Sequence, residues 1–570
     1  MNAAEAIVRM LIETGVRHIF GLPGDTSMDF YDALYRHRDT LTHILTRDER
    51  SAGFMADAYA RVSGRLGVVE SPSGGGATYV VPGVAEAQGS SSPLLSLTTD
   101  IPIAEEGRGV LTELDQESLF RPVTKWATRV KTSGSAPEVL RRALRMATAG
   151  RPGAVSVVLP ADVLRGPVDE DTVYGLPEAL EAPSQRTRPD PEAITRAADL
   201  IGRAARPVIV AGGGVRIAGA WDELTTLAES CAIPVATSIN GKGSVPETSP
   251  ISLGVVGGNG ARPYANEVLA GADLVIFIGT RTDSVTTLDW TLPRPGEPQV
   301  IHIDVDPWQP GNNYPTVLGI VADAKLALRD LLEAVDLRDP KIAERRTWLD
   351  EIAARKEAYF AEAAAKAAST ARPIKPQRVI AALRRLLSPD TVIVADPGTP
   401  TPFIAAEYLL EQAGRWTVIP RAHGGLGYAI PAVVGAYFGA AGKPVVGLCG
   451  DGSFAMSCGE LETIARLGLP ITLIQFNNGS FGWIKELQHL YHDDRFLSVD
   501  FNAVDYAAIA RGFGFRAEQV VDPEEVEPAI ARALASGQPS FIDVVSASPL
   551  TEMPPVAAWQ AAEALRRAAR

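Results

Sequence analysis

Short, mostly apolar runs break repeatedly into glycine-bearing turns along this chain, and stretches of helical periodicity separate them. Such runs fall at residues 16–21 (VRHIFG), 67–69 and 155–159, then at 207–211, 233–236, 273–279 and 299–304, and again at 391–395, 443–450 (KPVVGLCG) and 470–476 (PITLIQF). A strand with one wet face alternates apolar and polar residues, so runs that are mostly apolar without such alternation predict strands buried on both faces. Alternation of such strands with helices predicts an α/β fold of doubly wound parallel sheets, in which ligands sit at the carboxyl ends of the strands.

The runs group into three predicted domains, 1–167, 190–336 and 374–548. Residues 167–191 are rich in Pro, Glu and Asp without periodicity and read as a linker. A charged, alanine-rich helix is expected at 340–371, and a solvent-facing helix within 550–570. A chain of 570 residues is too long for a single core, which agrees with three domains. A net charge of −14 with no basic run argues against a nucleic-acid or anionic membrane surface. Cys231, Cys449 and Cys458 form no CxxC pair, which fits a reducing, cytoplasmic setting better than a disulfide framework. The first helix carries Glu5, Arg9 and Glu13 and so lacks the apolar centre of a signal peptide; no uncharged apolar stretch is long enough for a membrane span.

Candidate chemistry gathers where strands end. Gly450, Asp451, Gly452 and Ser453 follow one apolar run, and Asn477, Asn478, Gly479 and Ser480 follow another. Asp451 offers a hard carboxylate oxygen, Asn478 an amide oxygen and Ser480 a backbone carbonyl, and diphosphate oxygens could complete the octahedron that Mg²⁺ prefers. The glycines let backbone N–H groups approach phosphate. Turns of this composition are also ordinary strand exits. Likewise Glu49, at the start of a helix in 46–69 (TRDERSAGFMADAYARVSGRLGVV), reads on its own as a cap or a dipole partner.

Taken together, these stretches resemble the thiamine diphosphate (ThDP) enzyme superfamily, in particular its acetolactate synthase and benzoylformate decarboxylase-like members. The residues from Glu49 onward resemble the segment E-x₂-A-x₂-M-A-x₂-Y-A-R-x₂-G, and 20–24 (FGLPG) and 72–78 (PSGGGAT) resemble the family's glycine loops. Gly424, Gly425, Leu426, Gly427 and Tyr428 match G-x-[ML]-G-[FY], and Asp396, Pro397, Gly398 and Thr399 match a diphosphate loop. The resemblance implies pyrimidine-binding, central and diphosphate-binding domains, ThDP and Mg²⁺ as cofactors, and a homodimer or homotetramer with sites between chains. It further implies that Glu49 relays a proton through the aminopyrimidine, that Leu426 wedges the two cofactor rings into a V, and that the Gly424 carbonyl accepts from the 4′-amino group. Residues 279–284 (GTRTDS) and 302–307 (HIDVDP) resemble the synthase central domain, and 211–214 (AGGG) leaves FAD open as a further cofactor.

The reaction is narrowed by departures from the family pattern. Asp25 in 21–25 (GLPGD) matches a residue that assists protonation in pyruvate-type decarboxylases, but 108–115 (RGVLTELD) lacks their histidine pair and Ile484 stands where they have a glutamate. Against the synthases, Thr112 replaces a glutamine and Leu487 a tryptophan that shapes acceptor choice, while Lys125 and Arg281 match. The expectation is decarboxylation of a small 2-oxo acid followed by carboligation to a second carbonyl. The alternatives are a non-ligating decarboxylase, an FAD-dependent oxidase and a noncatalytic regulator; the intact Glu49, Asp451 and Asn478 argue against the last.

Overall fold

The computed structural model describes residues 1–569 and contains three six-stranded parallel sheets with helices packed on their faces. The first holds β1 (His18–Gly21), β2 (Thr42–Leu45), β3 (Gly67–Ser71), β4 (Leu94–Asp100), β5 (Trp126–Arg129) and β6 (Ala154–Pro160), in the order β2-β1-β3-β4-β6-β5. The second holds β7 (Pro207–Ala211), β8 (Val235–Thr237), β9 (Ser252–Val255), β10 (Leu274–Ile278), β11 (Gln299–Asp304) and β12 (Leu318–Val321), in the order β12-β11-β10-β7-β8-β9. This is the dinucleotide-fold order 3-2-1-4-5-6 read from the far edge. The third holds β13 (Val392–Ala395), β14 (Thr417–Val418), β15 (Val445–Gly450), β16 (Thr472–Asn477), β17 (Arg516–Val520) and β18 (Ser540–Val545). Its order, β14-β13-β15-β16-β18-β17, repeats that of the first sheet.

Burial explains the mostly apolar runs. Every residue of β3, β4, β6, β7 and β10 is buried, because helices cover both faces. Each sheet carries its own apolar core.

The chain folds as two compact units. One comprises Met1–Gln185 with Pro420–Val445 and Ser457–Leu469 and contains the first sheet. There the helix Glu49–Ser63 packs against the helix Ala429–Gly439 so closely that a Cβ at Gly435 would fall 1.9 Å from the Met55 carbonyl oxygen. The other unit comprises Arg186–Ile419, Val446–Met456 and the chain from Pro470 onward, and contains the second and third sheets.

Two expectations are corrected. The stretch read as a linker is a packed strap through its first two-thirds: Gly175 N–H donates to Glu13 Oε2 (2.8 Å), Leu176 N–H to Thr14 Oγ1 (3.0 Å), and the Leu180 carbonyl accepts from Leu66 N–H (2.8 Å). Leu176 and Ala179 are buried under it, and these few apolar positions are too irregular to register as a periodic pattern. The C-terminal helix, Ala557–Ala569, is not simply solvent-facing. Trp559 is buried, with its ring 4.2 Å from that of Trp483 in the helix Gly482–Tyr491, and Val556, Met553 and Ala562 join the contact. The charged helix is present as Lys341–Ala367; its buried Arg345 donates to the carbonyls of Ile201, Ala204 and Cys231. Among the described residues no helix is long and apolar enough to cross a membrane.

Candidate active site

The turns after β15 and β16 converge on Asp451. Asp451 opens the helix Asp451–Ser457 and is almost fully buried. Its Oδ2 accepts the backbone N–H groups of Asn478 (3.0 Å) and Gly479 (2.7 Å), and its Oδ1 accepts that of Gly452 (2.8 Å). Burial pushes its pKa up to about 6 although these N–H groups pull the other way. The Ser480 hydroxyl donates to Asn478 Oδ1 (2.8 Å), within the turn whose N–H groups Asp451 holds. Among the described residues no group of three or more His, Cys, Asp or Glu could hold a metal. A divalent ion here would have Asp451 as its one carboxylate and amide, carbonyl and ligand oxygens for the rest, which suits Mg²⁺. A Cβ built at Gly398, Gly450 or Gly479 would meet nothing within 4 Å, so these turns border open space, as a diphosphate cradle requires. Thr399 and Ser453 are buried beside Gly398 and Gly452 in their respective turns.

In the first unit Glu49 lies at the start of the helix Glu49–Ser63, just beyond β2, at the carboxyl edge of the first sheet. It is buried, and a Cβ at Gly76 would come within 3.0 Å of its Oε1, so the glycine loop after β3 makes room for the carboxyl. Burial raises the proton affinity of Glu49, and the nearby charges of Asp48 and Glu70 add to the effect. Asp25 begins the short turn Asp25–Ser27 after β1 and is exposed. The neighbouring Thr26 hydroxyl lies 3.1 Å from Ser73 Oγ and 2.8 Å from Thr99 Oγ1, which ties this turn to the loop after β3.

Gly424 and Leu426 lie on a turn organised by residues that sequence reasoning missed. Glu86, fully buried in the helix Val81–Gly89, accepts the backbone N–H groups of Ala422 (3.3 Å), His423 (2.7 Å) and Gly424 (3.2 Å) and is paired with Arg61 Nη2 (2.7 Å). Although burial opposes its charge, Arg61 and the His423 N–H hold Glu86 below the usual carboxylate range. Arg61 also reaches Asp57 (2.9 Å), which accepts from the Tyr428 hydroxyl (2.6 Å), so both ends of the 422–428 turn are anchored. Leu426 is left half-buried between them. The available signal was an acidic residue inside an otherwise uncharged helical stretch. In the third sheet, Asp543 is likewise buried and accepts from Gln475, Asn477 and Gln519, tying β16, β17 and β18 together behind the Asn478 turn.

The expected substrate residues fall in both units, Thr112 and Lys125 in the first and Arg281, Ile484 and Leu487 in the second. Lys125 precedes β5 at the amino edge of the first sheet, and its ammonium donates to the carbonyls of Ala149 (2.7 Å) and Arg151 (2.9 Å). Leu487 packs with Trp483 against the cluster of Leu490, Val556 and Trp559, at the seat of the C-terminal helix. Ile484, in the same helix, is about half exposed. The Thr112 hydroxyl lies 2.7 Å from Ser73 Oγ and pins its loop to the one after β3. Arg281 lies in the turn after β10, where Asn313 Nδ2 donates to the carbonyls of Arg281 and Thr282. A Cβ at Gly212 would fall 2.2 Å from the Gly279 carbonyl oxygen and one at Gly214 2.6 Å from the Gly279 Cα, so two glycines of the AGGG run serve close packing.

Residues 1–119 match the family "Thiamine pyrophosphate enzyme, N-terminal TPP binding domain", 194–331 the corresponding central domain and 396–544 the C-terminal TPP binding domain. The chain is 37% identical to a probable acetolactate synthase large subunit of Methanocaldococcus jannaschii, over 97% of this chain and 94% of the relative. It is 34% identical to the acetolactate synthase large subunit of Corynebacterium glutamicum, over 96% of this chain and 87% of the relative. The acetolactate synthase isozyme 3 large subunit of Escherichia coli is 32% identical over 95% of this chain and 94% of its own length.

Proposed function

We propose that this chain, which belongs to the thiamine pyrophosphate enzymes and is acetolactate synthase-like, decarboxylates a small 2-oxo acid and joins the retained carbon unit to a second carbonyl, with Mg²⁺ holding its ThDP. The observation that carries the reading is Glu49: a buried acid at the carboxyl edge of the first sheet, with its proton affinity raised and its space made by a glycine loop. When bound, ThDP supplies an electron sink for the carbon left by loss of CO₂.

The chain's own residues would do the rest. Glu49 would hold a proton at its carboxyl and exchange it with the pyrimidine N1′. Asp451, the Asn478 amide oxygen and the Ser480 carbonyl would ligate the cation, with Gly398, Thr399, Gly450, Gly452 and Ser453 around the diphosphate. The Gly424 carbonyl and Leu426, on the turn anchored by Glu86, would orient the pyrimidine. Ile484 has no proton to give, and few titratable groups, chiefly Asp25 together with His423, would lie near the reacting carbon; this scarcity favours attack on a carbonyl over release of an aldehyde. Arg281 would receive the acceptor's carboxylate. FAD is open as an additional cofactor of the second domain, and bound flavin in the purified protein would decide it.

The domains we propose are 1–167 for the pyrimidine, 190–336 as the central domain and 374–548 for the diphosphate. Sites would form between chains, so inactive Glu49→Gln and Asp451→Ala subunits should regain part of the activity when dissociated and mixed. The reaction is tested by supplying pyruvate with and without aldehydes and oxo acids and identifying products by mass. A 2-hydroxy ketone or 2-hydroxy-3-oxo acid is expected. Free aldehyde as the sole product would overturn carboligation, and peroxide with oxygen uptake would point to an oxidase.

A further inference from the structure

A cavity of about 660 Å³, in the size range of small-molecule sites, lies within the second unit. None of the residues proposed to hold ThDP, Mg²⁺ or substrate lines it. Its walls come from three helices. Ala363 and Ala367 stand one turn apart on Lys341–Ala367, and Ile380 and Arg384 one turn apart on Pro376–Leu386. Glu407, the last residue of Pro400–Glu407, and Tyr408 after it complete the wall. Buried charges fix the backbone of this last segment: Lys242 Nζ donates to the Tyr408 carbonyl (2.7 Å), Arg262 Nε to that of Ala406 (2.8 Å), and Glu247 Oε2 accepts the Leu410 N–H (3.0 Å). The cavity is therefore pre-formed on its polar side.

Three polar side chains lining it, those of Arg384, Glu407 and Tyr408, have no hydrogen-bond or ion-pair partner among the described residues. Glu407 is 8% exposed and Tyr408 6%, so their burial is costly unless a molecule in the cavity meets them. The other cations of the wall are engaged: Arg385 pairs with Glu527 (3.0 Å), and Arg378 donates to the Ser369 carbonyl (3.2 Å) and to that of Pro523. Arg384 lies instead over the Phe360 ring, its Cζ 5.4 Å from the centroid. Charge sets the sign of the ligand. Lys242 and Arg262 are fully buried and share one acid, Glu247, so with Arg384 three cations stand against Glu247 and Glu407. Lys242, which burial pulls down to about 8, is still charged at neutral pH. Burial pushes Glu407 up to about 7 although Lys366 pulls the other way, which weakens the negative side further.

We propose that this cavity binds a small monocarboxylate with a short aliphatic chain, its carboxylate held by Arg384 and Tyr408 and its chain laid along Ala363, Ala367 and Ile380. A guanidinium without an acid partner matches a carboxylate with two parallel donors, and the phenol hydroxyl adds a third. The small side chains of the Ala363 face leave room for methylene groups and make no polar demand on them. Glu407 restricts the ligand to one charge, because a second carboxylate would meet an acid.

The test uses the full chain with Mg²⁺ and ThDP and reads binding of hexanoate by saturation-transfer NMR. Hexanoate lacks the 2-oxo group of the proposed substrates, so it reports on the cavity apart from any turnover. It should bind with a Kd on the order of 1 mM or below, and hexylamine, of equal length and opposite charge, should not bind. Arg384→Gln, at an exposed position that folding tolerates, should weaken hexanoate by at least about tenfold. Glu407→Gln removes the acid and keeps a donor, so it should tighten binding by about threefold. Absence of transfer to hexanoate in the wild type overturns the proposal. Binding that Arg384→Gln leaves unchanged overturns it too, by placing the probe elsewhere. Hexylamine binding that is lost in Glu407→Gln overturns it by making the cavity a cation site. Carboligation is read separately from product mass, and its failure would leave these outcomes as they stand.

Discussion

The first and third sheets have the same strand order, and each places a buried carboxyl at the start of a helix that follows a strand. Under the proposed function the two carboxyls would have opposite tasks. Asp451 collects three backbone N–H groups, which favour its charged form against the burial that raises its pKa, and that charge would meet a cation. Beside Glu49 the free N–H groups of the helix start are taken by Asp48, the cap residue, so that apart from its own N–H Glu49 is left with burial and neighbouring negative charge. Topology therefore sets where the acid stands, and the donors around it set whether it keeps a charge or a proton. Asp48 in the cap position decides this for the first sheet.

Removing the charge from the third sheet should have the largest effect. Asp451→Ala is expected to weaken Mg²⁺-dependent ThDP binding by more than about 100-fold while leaving circular dichroism unchanged, since the proposed site loses its carboxylate ligand. Calorimetry checks this, and retained affinity would break the contrast. Next comes the support of the first-unit turn. Glu86→Ala leaves the buried Arg61 with Asp57 as its acidic partner and frees three N–H groups, so urea unfolding should show a loss of about 3 kcal/mol, with turnover falling as the 422–428 turn loosens.

A smaller effect should follow pH. Asp451 is raised from its ordinary 3.8 to about 6. Below its unfolded value the group is neutral in both states. As pH rises through about 6 the ligand-free protein loses the stability that the buried neutral form contributes. Cation binding requires the charged form and offsets that loss. The rise in Tm given by Mg²⁺ with ThDP should therefore be absent near about pH 4.5 and reach a few °C by about pH 7. An equal rise at both values would show that Asp451 is not the ligand. The smallest effect concerns Leu487→Trp. It should cost about 1 kcal/mol by overpacking against Trp559 and leave the distribution of carboligation products unchanged.

Much of this was legible because it is local. The runs 207–211 and 299–304 became β7 and β11 with the same ends, since glycine, proline and aspartate mark where a buried strand must stop. Asp451 and Asn478 could be paired because each follows a strand and the two strands, β15 and β16, are neighbours. What stayed hidden depends on partners remote in sequence. Glu86 gains its meaning from a turn 336 to 338 residues away. Lys125 reads as a free cation until the Ala149 and Arg151 carbonyls are seen to occupy it. Trp559 shows which face of the last helix is dry only once Trp483 is placed against it.

The division of labour between the two sheets is tested most directly by Glu49→Gln, with ThDP affinity and C2 hydrogen–deuterium exchange of the bound cofactor measured on the same sample. The account predicts affinity within about threefold of wild type and exchange slowed by at least about 100-fold. Wild-type exchange would contradict it by removing the proton from Glu49. A loss of affinity as large as that of Asp451→Ala would contradict it by showing that Glu49 holds the cofactor as Asp451 does, instead of serving as a proton relay.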